Sequence, residues 1–313
     1  MRLILPLFLL LVLTACESLV NEVDPDKLPK VDKKIVVQCY ISPQDTLLKA
    51  TVSLSKAVLG TNDNTYFADY KVTLSEGNRS IELKFNQALF AFVADPGQFP
   101  IETGKTYRLR VQGQQQSVEA VCTVPPPVTL TSIKLDSVRR SDGPSGSPPW
   151  EYYIRASWQD PAGAVNFYRL AGDYEFLQVT TNSSPGRPPT QNSQWNLNQI
   201  GFQNNNSLIS DQGQDGQVLT SQRGYIYISS YAYSSSSGGS VYTYSSVAKR
   251  PITISVYLLH VDPAYYSYHH ALELQNAIEN NPFAEPVLIP GNIQGGLGCF
   301  GAYNRTTKTV VLK

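Results

Sequence analysis

The sequence predicts a mostly β protein, built as an immunoglobulin-like or transthyretin-like N-terminal β-sandwich and a larger C-terminal β domain with one α-helix. Three observations lead there. Polar and apolar residues alternate in short runs, as in Thr51-Val52-Ser53-Leu54-Ser55 and Tyr107-Arg108-Leu109-Arg110-Val111, the period of a half-buried strand. Tyrosine, a good strand former, occurs 19 times, and the turn formers Gly and Pro 21 times each. Only the window from Asp262 to Asn280 has a helical pattern and helical stop signals.

The chain opens with Arg2, an apolar run from Leu3 to Leu13 broken only by Pro6, and then Thr14-Ala15-Cys16. The run is too short for a permanent span and has the layout of a cleavable signal over residues 1–15. A cysteine directly after the small residue reads as a bacterial lipobox. Cleavage before Cys16 lets it carry acyl chains, each buried CH₂ contributing roughly 0.8 kcal/mol to anchoring. Residues 16–34 hold Asp24, Pro25, Asp26 and Pro29 without periodicity and read as a lipidated flexible tether.

Strand signals follow at 35–41, 47–58, 71–75, 81–85, 106–111 and 118–124. Their density and the absence of a helical window predict the N-terminal sandwich over 35–124. Pro125-Pro126-Pro127 then forms a stiff linker at 125–128. The C-terminal domain, 129–313, starts with a strand at 131–138, a Gly/Ser/Pro-rich loop at 141–149, and strands at 152–158 and 167–177. Residues 180–206 are polar and read as a long loop with a short element around Trp195. Strands are expected at 224–233, 241–246 and 252–260, the first two joined through the Ser/Gly tip at 234–240. Asp262 as N-cap and Pro263 at the first helical position open a helix over about 263–280, with Ala264, Tyr268, Ala271, Leu272 and Ile278 on its apolar face. A closing hairpin is expected from 298–303 and 309–312.

The candidate interaction surface is a tyrosine ladder. Tyr225, Tyr227, Tyr231 and Tyr233 share a period of two, and Tyr242 and Tyr244 repeat it on the return strand. Cross-strand aromatic packing is the simpler reading. The functional reading is a rigid amphipathic surface for a glycan, peptide or protein, with Trp195 in the long loop beside it.

Zero formal net charge and 16% charged residues exclude electrostatic capture of nucleic acid and a polybasic grip on lipid. Membrane attachment therefore rests on the lipid at Cys16. Cys39 and Cys122 lie in the first and last strands of the N-terminal half. They read equally as a disulfide or as two buried thiols, with Cys299 left as a small buried hydrophobe.

Motifs for chemistry fail one by one. Gly296-x-Gly298-x-x-Gly301 has the dinucleotide spacing but no strand-to-helix context. Asp211-x-Gly213-x-Asp215-Gly216 has the start of a calcium loop, but position three lacks an oxygen and position twelve is Gln222, so it reads as a polar turn. His269 and His270 are adjacent and cannot form a zinc-binding i, i+4 pair. The three histidines, with His260, read as solvent-facing or capping groups rather than as a site with Asp262. No G-x-S-x-G elbow is present. The expectation is no catalytic residue, no metal and no cofactor: not an enzyme.

Several segments carry a family resemblance. Asn281-Pro282-Phe283-Ala284-Glu285-Pro286 leads into Asn292-Ile293-Gln294-Gly295-Gly296-Leu297-Gly298 and then Phe300-Gly301-Ala302-Tyr303. Asp160-Pro161, Asn166-Phe167-Tyr168-Arg169, the 106–111 strand and Thr123-Val124-Pro125 match further upstream. The mature chain resembles domain of unknown function 4249, a family of Bacteroidota lipoproteins; Cys299 departs from the aliphatic residue commoner at that place. The resemblance implies an outer-membrane lipoprotein that accompanies a TonB-dependent receptor, and it carries no catalytic residues. A surface adhesion or structural module is the alternative. Glu17, Glu22, Asp24 and Asp26 resemble the acidic export signals of such lipoproteins and favour the outward-facing leaflet.

Overall fold

The computed structural model describes residues 32–55, 69–139, 150–203, 207–228, 230–278, 281 and 283–313. The signal, Cys16, most of the tether and the 141–149 loop lie outside the described residues. The protein is mostly β with one α-helix among them, in mixed parallel and antiparallel sheets.

The N-terminal strands are β1 (Ile35–Ile41), β2 (Leu48–Leu54), β3 (Lys71–Glu76), β4 (Arg79–Asn86), β5 (Ala91–Ala94), β6 (Thr106–Gln112) and β7 (Ser117–Thr123). They hydrogen-bond in the order β1-β2-β5-β4-β3-β6-β7, with β4 paired to β5 on one side and β3 on the other. Alternation decides what goes inside. Val37, Cys39 and Ile41 of β1 meet Val72, Leu74, Leu109 and Val111 in one core. Strand β5 had no sequence signal; Phe92 anchors it, edge-on to Phe85 at 5.4 Å.

The C-terminal strands are β8 (Leu130–Arg139), β9 (Trp150–Gln159), β10 (Phe167–Ser183), β11 (Thr190–Gln199), β12 (Gly201–Phe202), β13 (Leu208–Ser210), β14 (Val218–Thr220), β15 (Gly224–Ile226), β16 (Tyr231–Ser237) and β17 (Ser240–Val261). Helix α1 (Pro263–Ile278) and β18 (Leu297–Leu312) complete the chain. Strands β12, β15, β9 and β14 form a second sheet, with β8 on β9. Its inner residues, among them Ile154 and Trp158, pack on Tyr168, Leu170, Ile254 and Leu258 of β10 and β17. Trp158 meets Tyr168 edge-on at 5.3 Å.

The expected closing hairpin is instead a single strand. The first part of β18 pairs parallel with β1, from Val36 opposite Leu297 to Ile41 opposite Ala302. The rest pairs antiparallel with β17, from Val261 opposite Tyr303 to Ile252 opposite Leu312. No Gly or Pro interrupts 302–312, so nothing turns the chain. Asn304, the one turn-prone residue there, is buried and committed: its amide nitrogen donates to Thr103 Oγ1 at 2.8 Å and Pro125 O at 3.1 Å. One strand thus joins the two halves, with Phe300 and Ala302 in the N-terminal core and Val310 and Leu312 against the C-terminal one. Gly298 makes the junction close. Its φ is +103°, and a Cβ there would stand 2.0 Å from the Val37 carbonyl oxygen, so only glycine fits.

Helix α1 starts where the Asp-Pro signal placed it. Asp262 Oδ1 accepts the Tyr265 N–H at 2.7 Å, and Oδ2 accepts the Ala302 N–H at 3.1 Å, so one side chain caps the helix and ties it to β18. The buried face is Tyr265, Tyr268 and Ala271; Tyr265, absent from the expected face, packs on Tyr40 at 5.1 Å. No helix among the described residues is long and apolar enough to cross a membrane.

Cys39, Cys122 and Cys299 are buried free thiols. Burial, more than any charge nearby, pushes all three thiols up, Cys299 to about 12, which makes them poor nucleophiles.

Candidate functional site

The expected 180–206 loop is, as far as Gln199, a hairpin. Strand β10 continues to Ser183 and β11 returns from Thr190, paired from Asn182 opposite Thr190 to Asp173 opposite Gln199. Strand β17 begins at Ser240, pairs with the upper part of β10, and takes β16 on its other side. Four strands, in the order β11-β10-β17-β16, therefore extend past the second sheet as an arm. Polar side chains on both faces hid these strands from a reading based on alternation.

Opposed residues of a ladder share a face. Tyr233 opposes Tyr244, Tyr231 opposes Ser246 and Ser235 opposes Tyr242, so Tyr231, Tyr233, Tyr242 and Tyr244 lie on one face. Tyr244 stacks on Tyr233 at 5.2 Å and on Tyr231 at 5.8 Å. A hydrogen bond with Tyr231 is the main cause raising the Tyr244 phenol above its ordinary value. The face continues across polar side chains, where Gln178 donates to Ser246 Oγ at 2.7 Å. It extends the inner face of β10, on which Tyr174 and Phe176 are buried, into a region that the second sheet does not reach.

Trp195 opposes Leu177, and Leu197 opposes Glu175, on the reverse of the arm. Val247, opposite Val179, lies there too. Trp195 is 62% exposed and Leu197 69%. The tryptophan and the tyrosines, grouped together from sequence, therefore occupy opposite faces.

The tyrosine ladder is also not one strand. Tyr225 belongs to β15 in the second sheet, opposite Tyr153. Tyr227 follows it, stacked on Tyr225 at 6.2 Å. Tyr174 holds the backbone of Tyr227, accepting its N–H at 3.0 Å and donating to its carbonyl at 2.8 Å. This clamp replaces a ladder partner, and the chain then leaves one sheet for the other. A period of two in sequence cannot show such a crossing. Tyr225 and Tyr227 thus form a separate patch.

His270 is exposed as expected, while His260 and His269 differ from the solvent-facing expectation. His260 is buried, with Nδ1 2.7 Å from Pro126 O and Nε2 3.1 Å from Asn166 Oδ1. Burial lowers it below the usual histidine range. Asp262 caps α1, and His260, Asp262 and His270 are not brought together as a metal site among the described residues. His269 is half-buried beside Tyr265 at 4.3 Å, and burial, helped by Arg169, lowers it to about 4. Gly296, Gly298 and Gly301 run along the start of β18 with no helix after them; packing against β1 and α1 explains them.

Two other features have chemical character. A shallow cleft of about 540 Å³ is lined in part by Arg169, Asp173, Tyr257, Tyr265 and Glu273. Its charges are engaged locally: Arg169 donates to Tyr265 Oη at 2.8 Å, and Tyr257 donates to Asp173 at 2.6 Å. The second is a group of three aspartates, Asp160, Asp211 and Asp215, each with an oxygen within 4.8 Å of the others. Sequence reading placed Asp211 and Asp215 in a polar turn. It missed Asp160, which reaches them only through the fold. Burial, then the Asp160 carboxylate, raises Asp211 above the ordinary carboxyl range.

No curated protein matches this chain. A family model described as a domain of unknown function (DUF4249) matches residues 20–309, a span that includes the arm, the aspartate group and the strand joining the halves. The chain belongs to the DUF4249 family.

Proposed function

We propose that this protein is an outer-membrane lipoprotein, held by lipid on Cys16, that serves a TonB-dependent receptor as a non-enzymatic docking or ligand-binding accessory. The observation that carries the reading is the arm. It exposes stacked tyrosines on one face and Trp195, Leu197 and Val247 on the other, and exposed aromatic patches of this kind mark interaction surfaces. Tyrosine flanked by Ser, Thr, Asn and Gln suits adaptable contact at low entropic cost. The lipobox and the family resemblance to Bacteroidota lipoproteins support the location, and the acidic residues of the tether favour the outward leaflet. We also read the N-terminal strands as immunoglobulin-like, with β1, β2 and β5 facing β3, β6 and β7 across one core and β4 passing between the layers.

The test is capture of the tagged full-length protein from detergent-solubilised native membranes, with bound proteins identified by mass spectrometry. A stoichiometric TonB-dependent barrel is expected, lost when Tyr231, Tyr233, Tyr242 and Tyr244 are all replaced by Ser. Bait that emerges alone, from cells whose surface protease removes the protein, overturns the accessory role and transfers the arm to adhesion.

A further inference from the structure

The three aspartates come together where four strand ends meet. Asp160 follows β9, Asp211 follows β13, and Asp215 lies in the turn before β14; the segment before β10 supplies Asn166. Each carboxylate is held by a neighbour. Tyr168 donates its hydroxyl to Asp160 Oδ1, and the Gly216 N–H reaches Oδ2 at 2.9 Å. The Gly163 N–H approaches both oxygens of Asp215, at 2.9 and 3.1 Å. Asp211 uses Oδ2 for the Asn166 N–H at 3.0 Å and its side-chain amide at 3.4 Å.

The other oxygen of Asp211 is the unexplained atom. Asp211 is 1% exposed, and its Oδ1 is buried with no hydrogen-bond partner. Asp160, 2% exposed, lies beside it. Among the described residues no lysine, arginine or histidine forms an ion pair with any of the three. Buried charges without a partner are expensive, and proteins resolve them by pairing or by metal coordination. A proton shared between Asp160 and Asp211 would neutralise one of the buried pair and leave the other charged beside Asp215. A divalent cation answers both charges of the buried pair and gives Oδ1 a ligand.

We infer that Asp160, Asp211 and Asp215 form a binding site for a hard divalent cation, calcium in particular. All three donors are carboxylate oxygens, which suit calcium and not zinc. Asp215 is exposed, which leaves water free to complete the six to eight ligands calcium takes. The site staples the β9–β10 and β13–β14 connections.

Terbium luminescence and thermal unfolding of the full-length protein test this. Tyr168 bonds directly to Asp160, so its phenol is placed to sensitise terbium emission. Terbium emission that calcium chloride competes away is expected, with a melting point several degrees higher in millimolar calcium than in chelator. Asp215→Asn alters an exposed residue and keeps the fold; it is expected to weaken terbium binding at least tenfold, and Asp211→Asn to abolish it. Identical melting in calcium and chelator, with no terbium emission from the wild-type chain, overturns the site. So does Asp211→Asn raising the melting point with no calcium dependence in the wild type, which would assign a shared proton instead.

Discussion

Strand β17 has two halves with opposite fates. From Ile252 to Val261 the even-numbered residues Ile252, Ile254, Val256, Leu258 and His260 are buried. From Val241 to Lys249 the reverse face is mostly exposed, while on the tyrosine face Tyr242 is exposed, Tyr244 and Ala248 are half-buried and only Ser246 is buried. Both halves are paired on both sides, the lower with β10 and β18 and the upper with β10 and β16. Hydrogen bonding therefore does not distinguish them; the second sheet does. Pairing makes the strand, and a covering layer makes it stable. The arm keeps its geometry through ladders while leaving its aromatic area available to something outside the molecule.

The contrast is tested hardest in the buried half. Leu258→Ala removes a fully buried side chain from the core and is expected to cost about 2–5 kcal/mol of unfolding free energy in urea titrations. A cost below about 1 kcal/mol would mean that this half is no better packed than the arm.

A second test uses the residues that follow the buried half. Burial raises Asp262 to about 6 despite its bonds to two N–H groups, and it lowers His269 to about 4. The two act oppositely. A carboxyl raised in the folded state takes its proton there first, so folding gains stability as pH falls from about 6 towards 4. A lowered histidine is protonated first in the unfolded chain, so folding loses stability as pH falls from about 6.5 to 4. The two effects have opposite signs and offset; His260 adds in the histidine direction. His269→Phe is therefore expected to gain on the wild type progressively between pH 6.5 and 4. Parallel stability curves for the two proteins would show that His269 is not held neutral by its surroundings.

The smallest effect is expected in the arm. Tyr233→Ala removes a side chain that is 60% exposed, losing one cross-strand stack worth about 0.2–1 kcal/mol. A loss above about 2 kcal/mol in the same urea titration would show a covering layer and break the comparison.

What sequence could show follows from this division. Helix α1 was legible because Asp262-Pro263 acts locally, and the core strands because burial writes alternation into them. The β10–β11 hairpin was not legible, since Thr180 to Asn182 and Thr190 to Asn192 are polar on both faces. The face that Trp195 occupies depends on a register that only the hairpin fixes. Asp160 and Asp211 meet through tertiary structure, so neither marks the other in sequence. Gly298 is expected at the start of a hairpin strand, and the close approach of β1 that requires glycine there exists only in the fold.

Strand β18 also sets the order in which the molecule is completed. It is the parallel neighbour of β1, and every other strand of the described residues lies between them in the chain. A polypeptide emerging from its N-terminus holds β1 and β17 with unfilled edges until the final segment arrives. Such distant pairing is slow to form and exposes apolar edges in the meantime. A chain cut before Leu297 would therefore leave two unfinished halves in place of one intact domain and one lost. Assembly finishes only when the last strand closes the joint.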